Sequence, residues 1–276
     1  MSSFRIAACQ MNSQADREAN LAKAGQLIDE AAAMGANMVG LPETFAVLGE
    51  NATLMASAEP LSGPTSDFLR SKAQQHGIYL HGGSFLTQVE GSDKVANTNL
   101  IFDPSGNIIA RYDKIHLFDI EIEGQKAYRE SDAVNAGQKM VTFETEHGNF
   151  GLSICYDIRF PELYRALTFN GARVIFLPAA FTLYTGKDHW ETLIRARAIE
   201  NQVYMVCPAQ IGTHGNGRQC YGSSMIVDPW GTILARAPER EGVIVADIDH
   251  AAQDRIREQL PSLKHRREDI YRGVAG

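Results

Sequence analysis

The chain is short of the features that build disulfide-stapled, zinc-held, membrane-spanning or nucleic-acid-binding proteins. Its 276 residues include only four cysteines, Cys9, Cys155, Cys207 and Cys220. They are widely spaced and form no Cys-x-x-Cys pair, which argues against a disulfide framework or a zinc site and for a reducing cytoplasm. No apolar run approaches the roughly 20 residues that cross a bilayer. The start, Met1-Ser2-Ser3-Phe4-Arg5, lacks a charged segment leading into a long apolar core, so no signal peptide is expected. Positive charge is also in deficit. Lysine and arginine total 26 against 33 acidic residues, a net charge of −7. The one dense basic cluster, Lys264-His265-Arg266-Arg267, is followed at once by Glu268-Asp269, so no nucleic-acid surface is expected. No Pro/Gly/Ser-rich linker interrupts the chain, and one domain over residues 1–276 is expected. Its last part, 249–276, is charged and broken by Pro261. It reads as an arm laid across a neighbouring subunit.

What is present is an ordinary globular composition, 44% hydrophobic and 21% charged. Strand-like and helix-like segments alternate. Phe4–Met11 reads as a buried strand. Asp16–Ala33 carries apolar residues at helical spacing, with Gly35 as a stop. Asn37–Leu41 is a short strand, Pro64–Gln75 a helix stopped by Gly77, and Ile78–Phe85 a strand. Asn99–Phe102 and Ile108–Tyr112 flank Asp-Pro-Ser-Gly and predict a hairpin. Trp190–Gln202 predicts a helix, opened by His189, with Leu193, Ala196 and Ile199 on its core face.

The pattern then repeats. Phe4-Arg5-Ile6-Ala7-Ala8-Cys9 resembles Phe150-Gly151-Leu152-Ser153-Ile154-Cys155. Gly35 to Phe45 resembles Gly171 to Phe181, and Asp103 to Arg111 resembles Asp228 to Arg236. The matches are collinear. Two such halves, each a sheet with helices on one face, bury their bare faces against each other. The expected fold is a four-layer αββα sandwich with an internal pseudo-twofold repeat. Differences between the halves then become informative. Glu43 and Ala179 both follow Leu-Pro at a strand end, where α/β proteins place their chemistry, and only one is a carboxylate.

Cys155 ends an apolar strand and enters a polar elbow, Tyr156-Asp157-Ile158-Arg159-Phe160-Pro161, before a helix begun near Pro161. Nearby N–H groups favour thiolate and can bind an oxyanion. Cys9, Cys207 and Cys220 read as buried structural cysteines. Lys114 follows the first hairpin; beside a thiol its ammonium would also favour thiolate and hold a developing oxyanion.

These residues carry a resemblance. Leu41-Pro42-Glu43, Tyr112-Asp113-Lys114-Ile115-His116-Leu117 and Cys155-Tyr156-Asp157-Ile158-Arg159-Phe160-Pro161-Glu162-Leu163 are similar to the motifs of the nitrilase superfamily of carbon–nitrogen hydrolases, over about Phe4 to Tyr271. The resemblance implies a Glu43–Lys114–Cys155 triad and a homodimer or larger homo-oligomer. It also implies a small-molecule amide substrate and no metal or organic cofactor. A further family glutamate matches Glu130. In this scheme Glu43 is the base, Cys155 the nucleophile, and Lys114 with the Tyr156 backbone N–H the oxyanion site. Arg159 is placed to hold a substrate carboxylate or to pair internally with Asp157 or Glu162. In relatives, the residues matching Arg159, Phe181 and Thr185 line the substrate pocket.

The stretches Leu117 to Glu121, Thr185 to Glu191 and Gly222-Ser223-Ser224 with Asp228 to Gly231 resemble one branch of that superfamily. It holds amidases of deaminated glutathione and omega-amidases of alpha-ketoglutaramate and succinamate. Ala209 to His214, with Arg218 and Tyr221-Gly222, is closer to the first group. Relatives often show Gly-His-Ser at Gly222-Ser223-Ser224. The expected reaction is hydrolysis of a terminal amide through a cysteine thioester, releasing ammonia. Two other classes are weighed against it: a Cys–His hydrolase using His116 or His189, and a catalytically silent small-molecule binding module.

Overall fold

The structure, a computed structural model, describes residues 3–271 except positions 122, 124–126 and 216. The first half runs β1 (Phe4–Gln10), α1 (Arg17–Ala33), β2 (Met38–Gly40), α2 (Asn51–Ser57) and α3 (Pro64–His76). It continues through β3 (Tyr79–His81), β4 (Phe85–Gln88), β5 (Val95–Phe102) and β6 (Ile108–Asp113). A small ribbon, β7 (Asp119–Ile120) with β8 (Tyr128–Arg129), leads out of it. The second half runs β9 (Thr142–Thr145), β10 (Gly148–Leu152), α4 (Pro161–Phe169), β11 (Val174–Phe176), α5 (Leu183–Asn201) and β12 (Tyr204–Cys207). Then come the ribbon β13 (Ile211–Thr213) and β14 (Gln219–Tyr221), followed by β15 (Met225–Val227) and β16 (Ile233–Arg236). The strand β17 (Gly242–Ile248) and helices α6 (His250–Gln259) and α7 (Glu268–Tyr271) complete the described chain.

The first sheet has the order β17-β1-β2-β3-β5-β4, with β6 also on β5; the second has β16-β15-β12-β11-β10-β9. In each, three parallel strands are flanked by antiparallel ones. Alternation along β1 explains the layering. Ala7 and Cys9 face α1 and α3 in one core, while Ile6 and Ala8 face the second sheet in the other. The two sheets therefore meet face to face with helices outside, an αββα sandwich built on a repeated half.

The repeat holds, but one sequence match is out of step. Ile6 pairs with Met38, and Phe150 pairs with Val174. Met38 and Val174 are equivalent, so Ile6 matches Phe150, and Cys155 matches Met11 rather than Cys9. Cys9 matches Ser153. The slip is two residues, which preserves the inward–outward alternation and hides the error in the sequence.

Three other expectations need correction. Ile78–Phe85 is not one strand: Gly82-Gly83 divides β3 from β4, and a Cβ on Gly83 would lie 2.1 Å from the Pro42 carbonyl oxygen. Helix α5 begins at Leu183, capped by Thr182, seven residues before the expected Trp190. Gly186 lies inside the helix, and its missing side chain lets β14 pack close, since a Cβ there would sit 2.3 Å from Tyr221 Cβ. The buried face of α5 is Trp190, Ile194 and Ala198, whereas Ile199 is exposed. Helix α6 is also tied to its own chain. Gln253 Nε2 donates to the Arg173 and Gln202 carbonyls, and Arg173 returns bonds to Gln253 and Asp254. Residues 272–276 of the expected arm lie outside the described residues.

Candidate functional site

Strand ends from both halves converge on one buried cluster. Glu43 lies just past β2, Lys114 just past β6, and Cys155 shortly after β10. Each is pinned through its backbone. The Lys114 N–H donates to the Asn97 carbonyl at 3.0 Å, and its carbonyl accepts from Gly137 N–H at 2.8 Å. The Cys155 N–H donates to the Pro178 carbonyl at 2.9 Å.

The elbow at Cys155 is strained. Its φ is +47°, a left-handed conformation that a non-glycine residue adopts only under constraint. The constraint is Asp157, fully buried at the heart of a 3₁₀ turn, Cys155–Arg159. Asp157 Oδ2 accepts from Ile154 N–H at 2.8 Å and Tyr112 O–H at 2.7 Å. Its Oδ1 accepts from His116 N–H at 3.1 Å and meets His116 Nδ1 at 2.7 Å. Asp157 is thus saturated and pairs with His116, not with Arg159. The first bond of the turn runs from Asp157 N–H to the Ile154 carbonyl. That leaves Tyr156 N–H, next in the chain to Cys155, as one of the turn's leading donors.

Lys114 is only 1% exposed, so its ammonium requires charged partners. It donates to Glu43 Oε1 at 2.9 Å and to Glu130 at 2.8 and 3.1 Å. Burial pushes this ammonium down, but Glu130 and Glu43 outweigh it and hold the lysine firmly charged. Burial likewise pushes the Glu43 carboxyl up, yet Lys114, then Arg218 and the thiol, bring it below its ordinary value. Glu43 Oε1 also accepts from Asn97 Nδ2 at 3.0 Å, and Oε2 from Ala180 N–H at 2.8 Å. Glu130 Oε2 further accepts Phe118 N–H at 2.7 Å.

The thiol departs from expectation. Burial and the Glu43 carboxylate push Cys155 well above the usual thiol range, and Lys114 only partly opposes them. The resting pair is an ionised Glu43 hydrogen-bonded to a neutral thiol, not a preformed thiolate. Lysine cannot supply the thiolate because two carboxylates already claim its charge. The arrangement can pass the thiol proton to Glu43 once an electrophile draws charge onto oxygen.

A cavity of about 290 Å³ opens on this cluster, with Glu43, Lys114, Glu130 and Cys155 in its wall. Tyr128, Arg218 and Phe118 also face it. A crevice of only about 10 Å³ also touches Cys155, walled by Phe118, Tyr156, Phe181 and Thr185. Arg159 stands behind this crevice, 5.3 Å from the Phe181 ring centroid and 5.8 Å from that of Tyr156. Its guanidinium meets His189 Nδ1 at 3.4 Å. Among the described residues no carboxylate pairs with it, so the internal ion pair with Asp157 or Glu162 is absent. The predicted residues therefore fall into two groups, Glu43, Lys114, Glu130 and Cys155 in one, and Tyr156, Arg159, Phe181 and Thr185 in the other. His116 is spent on Asp157 and stacks on Phe160 at 3.6 Å, while His189 lies on Arg159; neither lines the cavity.

Sequence reasoning missed Asn97, the Ala180 N–H and Phe118. Asn97 was signalled by Asn97-Thr98-Asn99, three polar residues inside the wholly buried strand β5. Phe118 and Ala180 had no comparable signal. The departure at Gly222-Ser223-Ser224 lies outside the cavity wall: Ser223 gives its carbonyl to Trp190 Nε1, and Ser224 Oγ accepts from Ala209 N–H.

Comparison with known proteins identifies the family. The carbon-nitrogen hydrolase family matches residues 5–258. A deaminated glutathione amidase of Synechocystis sp. is 46% identical over 269 residues, covering 96% of this chain and 99% of the relative. Omega-amidase NIT2 of Mus musculus is 38% identical over 271 residues, covering 98% of both. The crystal structure of Saccharomyces cerevisiae Nit3, a member of branch 10 of the nitrilase superfamily, superposes with a TM-score of 0.88. It is 33% identical, covering 96% of this chain and 97% of that one. The chain belongs to the carbon–nitrogen hydrolase family of the nitrilase superfamily, whose members hydrolyse non-peptide carbon–nitrogen bonds.

Proposed function

We propose that this enzyme is a deaminated glutathione amidase working through a Cys155 thioester. The observation that carries the reading is the buried Glu43–Lys114–Cys155 cluster on the cavity wall, in a chain 46% identical to a protein of that name. Glu43 takes the thiol proton as sulfur attacks the amide carbonyl carbon. The carbonyl oxygen gains charge and is held by Lys114 Nζ and Tyr156 N–H. The tetrahedral intermediate collapses, the C–N bond breaks, and the protonated Glu43 gives its proton to the departing amine. Glu43 then deprotonates a water that attacks the thioester. The acid leaves, and the proton returns to sulfur. Glu130 holds the lysine that holds the oxyanion. Arg159, with Phe181 and Thr185 at the crevice, anchors the carboxylate of the acyl group bidentately.

Deaminated glutathione carries its 2-oxo acid at one end and its glycine carboxylate at the other. Hydrolysis of the amide on the cysteine nitrogen releases cysteinylglycine, so the ammonia expected from the sequence applies only to primary amides. Alpha-ketoglutaramate, the omega-amidase substrate, presents the same acyl group with ammonia as leaving group. The relation to omega-amidase NIT2 supports it as a second substrate.

The test is a panel of deaminated glutathione, alpha-ketoglutaramate, succinamate, an N-carbamoyl amino acid and a nitrile, reading dipeptide thiol or ammonia. Deaminated glutathione is expected to give the highest kcat/KM, and Cys155→Ala to lower it by at least about 10⁴-fold. Cys155→Ala turning over at the wild-type rate would sink the thioester scheme. A preference for alpha-ketoglutaramate would replace the substrate.

A further inference from the structure

Glu43 presents two carboxylate oxygens in unlike surroundings. Oε1 accepts from Lys114 Nζ at 2.9 Å and from Asn97 Nδ2 at 3.0 Å. Oε2 accepts from Ala180 N–H at 2.8 Å. That same N–H also supports the Cys155 sulfur, so Oε2 is the oxygen on the thiol side. Oε1 already holds one charged and one neutral donor. A proton leaving sulfur therefore finds its acceptor at Oε2.

Asn97 stands at the centre of this asymmetry. It is a buried residue of β5 in the cavity wall. Its carbonyl accepts Lys114 N–H at 3.0 Å, so the same residue seats the lysine and meets both carboxylates. Nδ2 lies 3.0 Å from Glu43 Oε1 and 3.4 Å from Glu130 Oε1. Lys114 Nζ reaches the same two atoms, at 2.9 and 3.1 Å. These neighbours fix the orientation of the amide. Turned over, its carbonyl oxygen would face two carboxylates. Two carboxylate oxygens gathered on one ammonium are also a place for a shared proton, because like charges so close resist ionising together. A proton held there would take Glu43 out of use as a base. The Asn97 amide fills the place with a donor that keeps its hydrogens.

We propose that Asn97 is a positioning residue that occupies Glu43 Oε1, directs the thiol proton to Oε2, and stands between Glu43 and Glu130 in place of a shared proton. This role rests on the thioester reading above, in which Glu43 is the base. A hydrogen bond donated to a carboxylate favours its ionised form, so losing the donor lets Glu43 take up a proton at higher pH. The charged and titratable groups that face Glu43 are Lys114, Glu130, Arg218 and the thiols of Cys155 and Cys220. All of them are kept when only position 97 is changed, so a moved profile reports the missing donor.

The experiment follows two rates against pH in wild type and Asn97→Leu. One is kcat/KM for deaminated glutathione. The other is the rate at which iodoacetamide labels Cys155, read by mass spectrometry, which needs the Glu43–Cys155 pair but no substrate assignment. In Asn97→Leu the acid limb of both profiles should move up by about 1–2 pH units, the worth of one hydrogen bond to a charged group. On the alkaline side of the new limb the rates should recover, because the base itself is intact. Thermal melting checks the fold, and Asn97→Ala takes the place of a leucine variant that does not fold. A merely structural role would slow both rates by one factor at every pH. An acid limb that stays in place therefore overturns the proposal, and with Cys155→Ala inactive it leaves the thioester reading standing. Cys155→Ala turning over at the wild-type rate removes that reading and the proposal with it. Wild-type protein that labels at Cys155 but leaves deaminated glutathione intact fails the substrate assignment alone, and the labelling profile then decides.

Discussion

The two halves of this chain share six strands in equivalent order and disagree where strands end, and β4 on β5 has no counterpart in the second sheet. The agreement extends to an irregularity. The β5–β6 pairing shifts between Ile101 and Phe102, and the β15–β16 pairing shifts between the equivalent Ile226 and Val227. The turns share their backbone pattern. Asp103 Oδ1 accepts from Ser105 and Asn107 N–H, and Asp228 Oδ1 from Trp230 and Thr232 N–H. Past the strand ends the equivalence is lost: Glu43 stands opposite Ala179, Lys114 opposite Glu239, and Cys155 opposite Met11. The duplicated part is scaffold. The chemistry is divided, with Glu43, Lys114 and Asn97 from one half and Cys155, Ala180 and Arg218 from the other. Neither half carries a complete site.

The strongest way to break this comparison is to make the first half like the second. Glu43→Ala copies the residue at position 179. It removes the proton acceptor and one of the carboxylates that neutralise Lys114. Loss of a general acid–base typically costs about 10²–10⁴-fold, and kcat/KM is expected to fall by roughly 10³-fold or more. Glu43→Gln separates proton transfer from burial, because it keeps the shape and the contact with Ala180 N–H. It should be nearly as inactive as Glu43→Ala yet more stable. Steady-state kinetics and melting on both variants check this. Glu43→Gln with more than a tenth of wild-type activity would remove Glu43 from the proton path.

A second substitution tests how the scaffold holds Glu43. Gly83, equivalent to Pro208, has φ +55° and passes against the Pro42 carbonyl. That approach places Ser84 N–H on the Pro42 carbonyl at 3.2 Å and Ser84 Oγ under Thr44 N–H at 3.0 Å. Glu43 is thereby clamped on both sides. Gly83→Ala combines a left-handed conformation with a backbone clash, each worth about 1–3 kcal/mol, and should cost roughly 3 kcal/mol in denaturant titration. Activity should fall with it. Pro208→Ala, at the equivalent position, keeps the carbonyl that accepts from Ala179 N–H and should leave kcat unchanged within about 3-fold.

This clamp shows where sequence reading succeeded and where it stopped. Glu43 and Cys155 were legible because each follows an apolar strand with a residue that packing does not require, whereas Lys114, past the largely exposed strand β6, was marked by the family resemblance. The repeat was legible through its turns, where Asp and Gly are demanded by local geometry. The register of β1 was not, because a two-residue slip leaves every side chain on its own face. The break at Gly83 was not legible within Ile78–Phe85, nor the start of α5 ahead of Gly186, since the backbones and side chains that need their empty Cβ positions come from distant segments. The weakness of the lysine's pull on the Cys155 thiol was hidden for a related reason. Proximity to Lys114 was expected, but the lysine's prior commitment to two carboxylates is a three-dimensional fact.

The subtlest difference between the halves lies between the sheets. His81 is equivalent to Val206, and Phe176 to Gly40. The Phe176 ring fills the space left by Gly40, where a Cβ would lie 2.9 Å from it, and stacks on His81 at 4.3 Å. His81 Nδ1 accepts Gly83 N–H at 3.3 Å, while Nε2 has no hydrogen-bond partner among the described residues. Burial pushes the imidazole down to about 3. In the unfolded chain it titrates near 6.5. Between these values only the unfolded state takes up the proton, so stability is complete above pH 6.5 and is lost as pH falls towards 3. From pH 7 to pH 5 this one ring costs about 2 kcal/mol. His81→Val restores the symmetry of the halves and has nothing to protonate. Whatever it costs through lost stacking at pH 7, its deficit relative to wild type should shrink by about 2 kcal/mol at pH 5. Urea titrations at the two pH values measure that gap. A deficit that stays constant would mean that the folded ring is protonated as readily as the free one, and that the sheets admit a charge at their centre.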